Sequence, residues 1–169
     1  MKINEILILY NYNYWATRKI LKASEALSES QLVAPAKCSF ESLRGTLIHI
    51  LSTEWMWRKR CQEAISPTAL MTQDKFPTLA SIRLGLDTEE KAMREYIGGL
   101  DDGLLLQKIA YTTTRGVPYE TPLWQILVHV VNHGTQFRSE AGMLLTDYGR
   151  SPRDIDFILY LRENSASSS

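Results

Sequence analysis

Residues 122–145 read PLWQILVHVVNHGTQFRSEAGMLL, and the fold turns on how this stretch is read. Leu123, Ile126, Leu127, Val130, Gly134, Phe137, Ala141 and Leu144 recur at steps of one, three and four. An α-helix turns once in about 3.6 residues, so this spacing gathers the apolar positions on one face. Thr121 followed by Pro122 reads as a cap with proline at the first helical position, where its missing N–H is no loss. The predicted helix runs from Pro122 to about Leu145. His129 and His133 flank its stripe one turn apart and point the same way.

The same spacing recurs on both sides. Upstream, residues 107–120 are rich in Thr, Tyr and Ile around Arg115-Gly116, which predicts a short hairpin that Pro118 confines to an edge. Thr78 caps a helix to about Ile97, stopped by Gly98 and Gly99. A further helix fits Ser39 or Phe40 to about Ala64, with Leu43, Leu47, Ile50, Trp57 and Cys61 as its stripe. The first spans Ile3 to Leu27, with Ile3, Ile6, Leu7, Tyr10, Tyr14 and Leu21 on one side. Residues 28–36 and 66–77 read as connections. Downstream, Ser151-Pro152 opens a short last helix from Arg153 to about Arg162, with a disordered tail over 164–169. The expectation is an all-α chain: a four-helix bundle with a hairpin-like insertion before the fourth helix and a short C-terminal helix, in one domain over 1–163.

Composition narrows the function. A chain of 169 residues, 44% hydrophobic and 22% charged, suits one soluble domain. A formal net charge of +0, with basic and acidic residues interleaved, gives no footprint for nucleic acid or an anionic membrane. No run of about 18 apolar residues occurs, so no membrane span is expected. The N-terminus has no signal-peptide pattern. Cys38 and Cys61 are isolated thiols, as a reducing cytoplasm would leave them. No phosphate-binding loop, nucleophile elbow, dinucleotide fingerprint or H-E-x-x-H motif is present.

The chemistry therefore rests on three histidines. His49 sits beside the stripe of the second long helix. With His129 and His133 it would supply three nitrogens from two facing helices. That set leaves an open coordination position, and imidazoles favour zinc or nickel, with iron also admitted. The alternative is three half-buried, hydrogen-bonded histidines. Glu54 lies about 140° around the helix from His49. It is expected to pair with Arg58 at the surface, the alternative being a bundle-facing acceptor. Arg138 is expected in an ion pair at the helix surface or an interface. Asn132 is expected as a surface amide. Tyr10 and Tyr14 should pack together with Tyr12 freer, and Trp55, Trp57 and Trp124 are read mainly as core.

Several segments taken together resemble the DinB family of metal-binding helical bundles. They are 10–18, YNYNYWATR; 47–51, LIHIL, with 54–57, EWMW; and Pro122-Leu123-Trp124 leading into 129–135, HVVNHGT, with Arg138. The resemblance covers roughly residues 1–150. It implies a four-helix bundle, usually a homodimer, holding a divalent metal on three histidines. In that family the repeat on the fourth helix often reads H-x-x-x-H-x-x-x-H-R, with the last two histidines as ligands. Here those positions are His129, His133 and Phe137, followed by Arg138. Phe137 cannot bind a metal. Either His129 takes over, which shifts the metal by up to one helical pitch of about 5.4 Å, or the site is degenerate. Gln136 is adjacent but points about 100° away from residue 137. Two functions follow as expectations. One is a metal-dependent enzyme of the thiol-transferase or hydrolase-like type, acting with a low-molecular-weight thiol. The other is a non-catalytic dimeric bundle that binds a small ligand or a partner.

Overall fold

A computed structural model describes the chain from residue 1 to residue 165. Its helices are α1 (Ile3–Ser24), α2 (Glu29–Val33), α3 (Leu43–Glu63), α4 (Leu79–Gly98), α5 (Leu123–Asp147) and α6 (Phe157–Ser165). Strands β1 (Lys108–Thr112) and β2 (Pro118–Pro122) form an antiparallel hairpin with Lys108 opposite Pro122 and Thr112 opposite Pro118. Both α4 and α5 pack against both α1 and α3, which makes the four-helix bundle. The predicted class, insertion and short last helix are all present. No helix among the described residues is long and apolar enough to cross a membrane.

The boundaries that moved have local causes. The second long helix starts at Leu43 because Glu41 adopts φ 62° and Ser42 Oγ accepts from Gly45 N. Phe40 is thereby left in a loop, free to turn back over the helix. The fourth starts at Leu123. Thr121 pairs with Ile109 in the hairpin, and Leu123 N donates to Gln107 O, so the predicted Thr121 cap is spent as a strand residue. The last helix cannot begin at Arg153, whose φ is 60°. It begins at Phe157 and includes residues 164 and 165 of the predicted tail; the rest of that tail lies outside the described residues. The stretch 28–36 contains one short helix, capped by Ser28 through Gln31 N.

Two apolar clusters fill the bundle. One gathers Ile20, Leu21, Leu43, Leu47, Phe137, Ala141 and Leu145; the other gathers Ile6, Tyr10, Met93, Ile97, Leu123, Leu127 and Val130. Near where the two clusters meet, α1, α3 and α5 contribute polar residues: Asn13 and Thr17, Glu54, and His133 with Arg138. Asn13, Thr17, Glu54 and Arg138 are buried. The bundle therefore carries a polar belt at mid-height.

Candidate functional site

The histidines enter this belt from α3 and α5. His49 Nε2 lies 3.0 Å from His133 Nε2. Two lone pairs facing each other at that distance repel, so the contact requires a proton or a cation between them. With a proton, one ring donates and the other accepts, and both are neutral. Burial agrees, since it drives the pKa of each below the usual histidine value. For His49 the nearby Glu140 carboxylate pulls part of the way back. For His133 the neighbouring His49, His129 and Arg138 push further down.

Aromatic rings close around the pair. Phe40 stacks on His49 with centroids 3.7 Å apart. Phe137 sets its ring 4.5 Å from both His49 and His133. Phe40 is held there by Glu140, which accepts from Ser39 N at 3.2 Å and from Ser39 Oγ at 2.7 Å. Beyond this clasp opens a groove of about 720 Å3 bounded by Pro35, Cys38, Ser39, Glu140, Met143 and Tyr148. His129 stands apart: its centroid is 5.8 Å from that of His133, and its ring meets Trp57 edge-on at 5.4 Å.

A metal can be tested against these residues. Two nitrogens on one tetrahedral zinc are separated by about 3.3 Å, so His49 and His133 come near the required spacing. Among the described residues no third imidazole joins the His49–His133 contact. Phe137 covers the position one turn beyond His133, and His129 is packed on Trp57. Gln136 is exposed. His49 Nδ1 is buried without a hydrogen-bond partner. A ligating imidazole normally passes its second N–H to a carboxylate or carbonyl. Among the described residues no group of three or more His, Cys, Asp or Glu side chains gathers to hold an ion. The donors fit a two-nitrogen pair and do not fit a three-nitrogen shell.

The rest of the belt differs from its sequence reading. Glu54 does not pair with Arg58 at the surface. It is buried, accepting from Tyr14 OH at 2.5 Å and from Asn13 Nδ2 at 3.3 Å. Arg58 instead meets Glu89 on α4, with Nε 2.5 Å from Oε1. Arg138 is not at a surface; it is fully buried, bonded to Asn13 Oδ1, to Thr17 Oγ1 at 3.3 Å and to Thr135 Oγ1 at 3.0 Å. Asn13 thus bridges the cation and the carboxyl. Burial raises the Glu54 pKa to about 7 against the pull of these partners. Gly134 makes room: a Cβ there would sit 2.6 Å from Arg138 Nη1 and 2.7 Å from Asn13 Oδ1. Tyr12 is buried, not free, because α6 brings Phe157 to 5.1 Å and Tyr160 to 6.0 Å from its ring. Tyr10 and Tyr14 do pack together at 6.0 Å, and Asn132 is exposed.

A signal for the missed residues is present in the chain. Glu54 falls four after Ile50 and three before Trp57, in the gap of the α3 stripe. Arg138 falls four after Gly134 and three before Ala141, and Asn13 three after Tyr10. Each occupies a core register position, which a surface residue would not need.

Comparison with known proteins gives a concordant picture. The model of a family described as the DinB family matches residues 2–166. Protein DinB of Bacillus subtilis (strain 168) is 24% identical over 157 residues, covering 90% of this chain and 91% of that protein.

Proposed function

Because the chain belongs to the DinB family, we propose that it keeps the family's bundle as a non-catalytic binding protein with a degenerate metal site. The observation that carries this reading is the Phe137 ring, 4.5 Å from both His49 and His133 where a third imidazole would stand. The groove beside the Ser39–Glu140 clasp supports a small-ligand role, and ligand entry there would act on Phe40 one residue away. We extend the proposal to a homodimer in the cytoplasm; the half-buried free thiols Cys38 and Cys61 are compatible with reducing conditions.

The test is metal content per chain, by mass spectrometry, on untagged protein incubated with zinc or nickel and desalted. Wild type is expected to retain far less than one equivalent. Phe137→His is expected to approach one, and to lose it again when His49→Ala is added. Near-stoichiometric metal in wild type, lost in His133→Ala, would overturn the reading. A second reading, a metal-dependent enzyme of the thiol-transferase or hydrolase-like type, is favoured by one observation, the 3.0 Å approach of the two Nε2 atoms. It requires His129 to leave Trp57, so a stoichiometric ion whose retention depends on His129 would establish it.

A further inference from the structure

Toward the C-terminal end of α3, Arg60 is only 5% exposed. Its neighbours Arg58 and Lys59 each meet a carboxylate, Glu89 and Glu63, whereas Arg60 meets none among the described residues. It donates one hydrogen bond, from Nη2 to Thr112 O at 3.1 Å, and its Nε is buried without a partner. Its guanidinium lies 4.6 Å from the Trp57 ring and 5.2 Å from the Tyr111 ring, and those rings meet edge-on at 4.9 Å. Beside it opens a cleft of about 300 Å3, bounded by Met56, Trp57, Arg60, Tyr111, Thr113 and Tyr119.

A structural role accounts for part of this. The bond to Thr112 O and the edge-on contact of Trp57 with Tyr111 staple the hairpin to α3. A guanidinium cannot shed its charge, however, so the staple leaves a largely desolvated cation without a counter-ion. A neutral side chain could make the same carbonyl bond without that cost. The cleft explains the choice, because an anion entering it would supply the missing charge.

We propose that this cleft binds a small organic carboxylate with an apolar or aromatic body. The carboxylate pairs with Arg60, and the body lies against Trp57, Tyr111 and Tyr119. One cation among largely aromatic walls matches a monoanion; a dianionic phosphate would call for more positive charge than the single guanidinium of Arg60 supplies. The site is separate from the histidine pair and does not depend on the metal reading.

The test is titration of the full chain with phenylacetate, followed by tryptophan fluorescence and calorimetry, beside the uncharged isostere phenylacetamide. Phenylacetate should bind once per chain, at least about tenfold more tightly than the amide. Arg60→Gln should remove that preference. Arg60→Lys, which keeps the charge but not the fork, should retain part of it. Tyr119→Ala, at a 54% exposed position, should weaken binding several-fold. His133→Ala, outside this cleft, should leave the affinity for phenylacetate and the preference over the amide unaltered. The proposal is overturned if wild type shows no saturable binding, if acid and amide bind alike, or if the preference survives Arg60→Gln. Loss of the preference in His133→Ala would place the carboxylate at the histidine pair and equally overturn it.

Discussion

The mid-height belt holds two polar clusters of opposite construction. Around Arg138, the Asn13 amide has a partner on each side: Arg138 and Glu54 meet it from different helices, with Tyr14, Thr17 and Thr135 completing the set. Around His49 and His133, one nitrogen–nitrogen contact is wrapped in phenylalanine rings, and His49 Nδ1 is left without a partner. The first cluster is woven through α1, α3 and α5 and should behave as part of the fold. The second is held by packing and should tolerate change.

The sharpest way to break that contrast is Arg138→Met. The variant removes a fully buried cation but leaves Asn13 Oδ1 without its donor and Glu54 without a nearby positive charge. Removing one member of a buried charged network costs about 3–5 kcal/mol, to be read by denaturant unfolding at pH 7. A loss under about 1 kcal/mol would put Arg138 among ordinary surface charges.

Next comes the pH dependence of Glu54. Its folded pKa of about 7 lies above the ordinary glutamate value of 4.5. Between those values the unfolded chain releases a proton that the folded chain keeps, so wild-type stability falls as pH rises across this window. The loss is on the order of 3 kcal/mol. Glu54→Gln keeps the shape without the titration, and its stability should be flatter over the same range. An equal slope in both proteins would assign the proton elsewhere.

Gly134→Ala probes the space between the clusters. Alanine improves helix propensity by up to about 1 kcal/mol. Its Cβ would press on Arg138 Nη1 and Asn13 Oδ1, and overpacking of this kind costs about 1–3 kcal/mol. A net destabilisation near 1 kcal/mol is expected in thermal unfolding. Net stabilisation would mean that the Arg138 side chain has room to move.

The contrast also explains what the sequence conveyed. Helical periodicity is local, so α1, α3, α4 and α5 were readable, as was the hairpin around Arg115-Gly116. Which polar side chain is buried is set by partners far along the chain. Glu54 is held by Tyr14 and Asn13, and Arg138 by Asn13 and Thr17, none of which a helix-by-helix reading can pair. Arg58, four residues after Glu54, is drawn away by Glu89 on α4. At the histidines, spacing gave the shared direction of His129 and His133 but not the Phe40 lid, which depends on the left-handed turn at Glu41 and the Ser39–Glu140 clasp.

The smallest effect is expected at the histidine pair. His49→Leu with His133→Leu removes both members of one hydrogen bond and leaves carbon against Phe40 and Phe137. Replacing both partners by apolar groups is nearly neutral, so chelator-treated protein should change by less than about 1 kcal/mol at pH 7. The sign reverses toward acid. Both wild-type histidines have folded pKa values below the ordinary histidine value of 6.5, so as pH falls past 6.5 the unfolded chain takes up protons first and wild type loses stability. The double variant should therefore gain on wild type as the solution is acidified. This slope opposes that of Glu54 over the range from 4.5 to 6.5 where the two windows overlap. Stability curves of wild type, Glu54→Gln and the double histidine variant should consequently tilt in different directions. A double-variant loss comparable to that of Arg138→Met would make the histidine pair as structural as the arginine network.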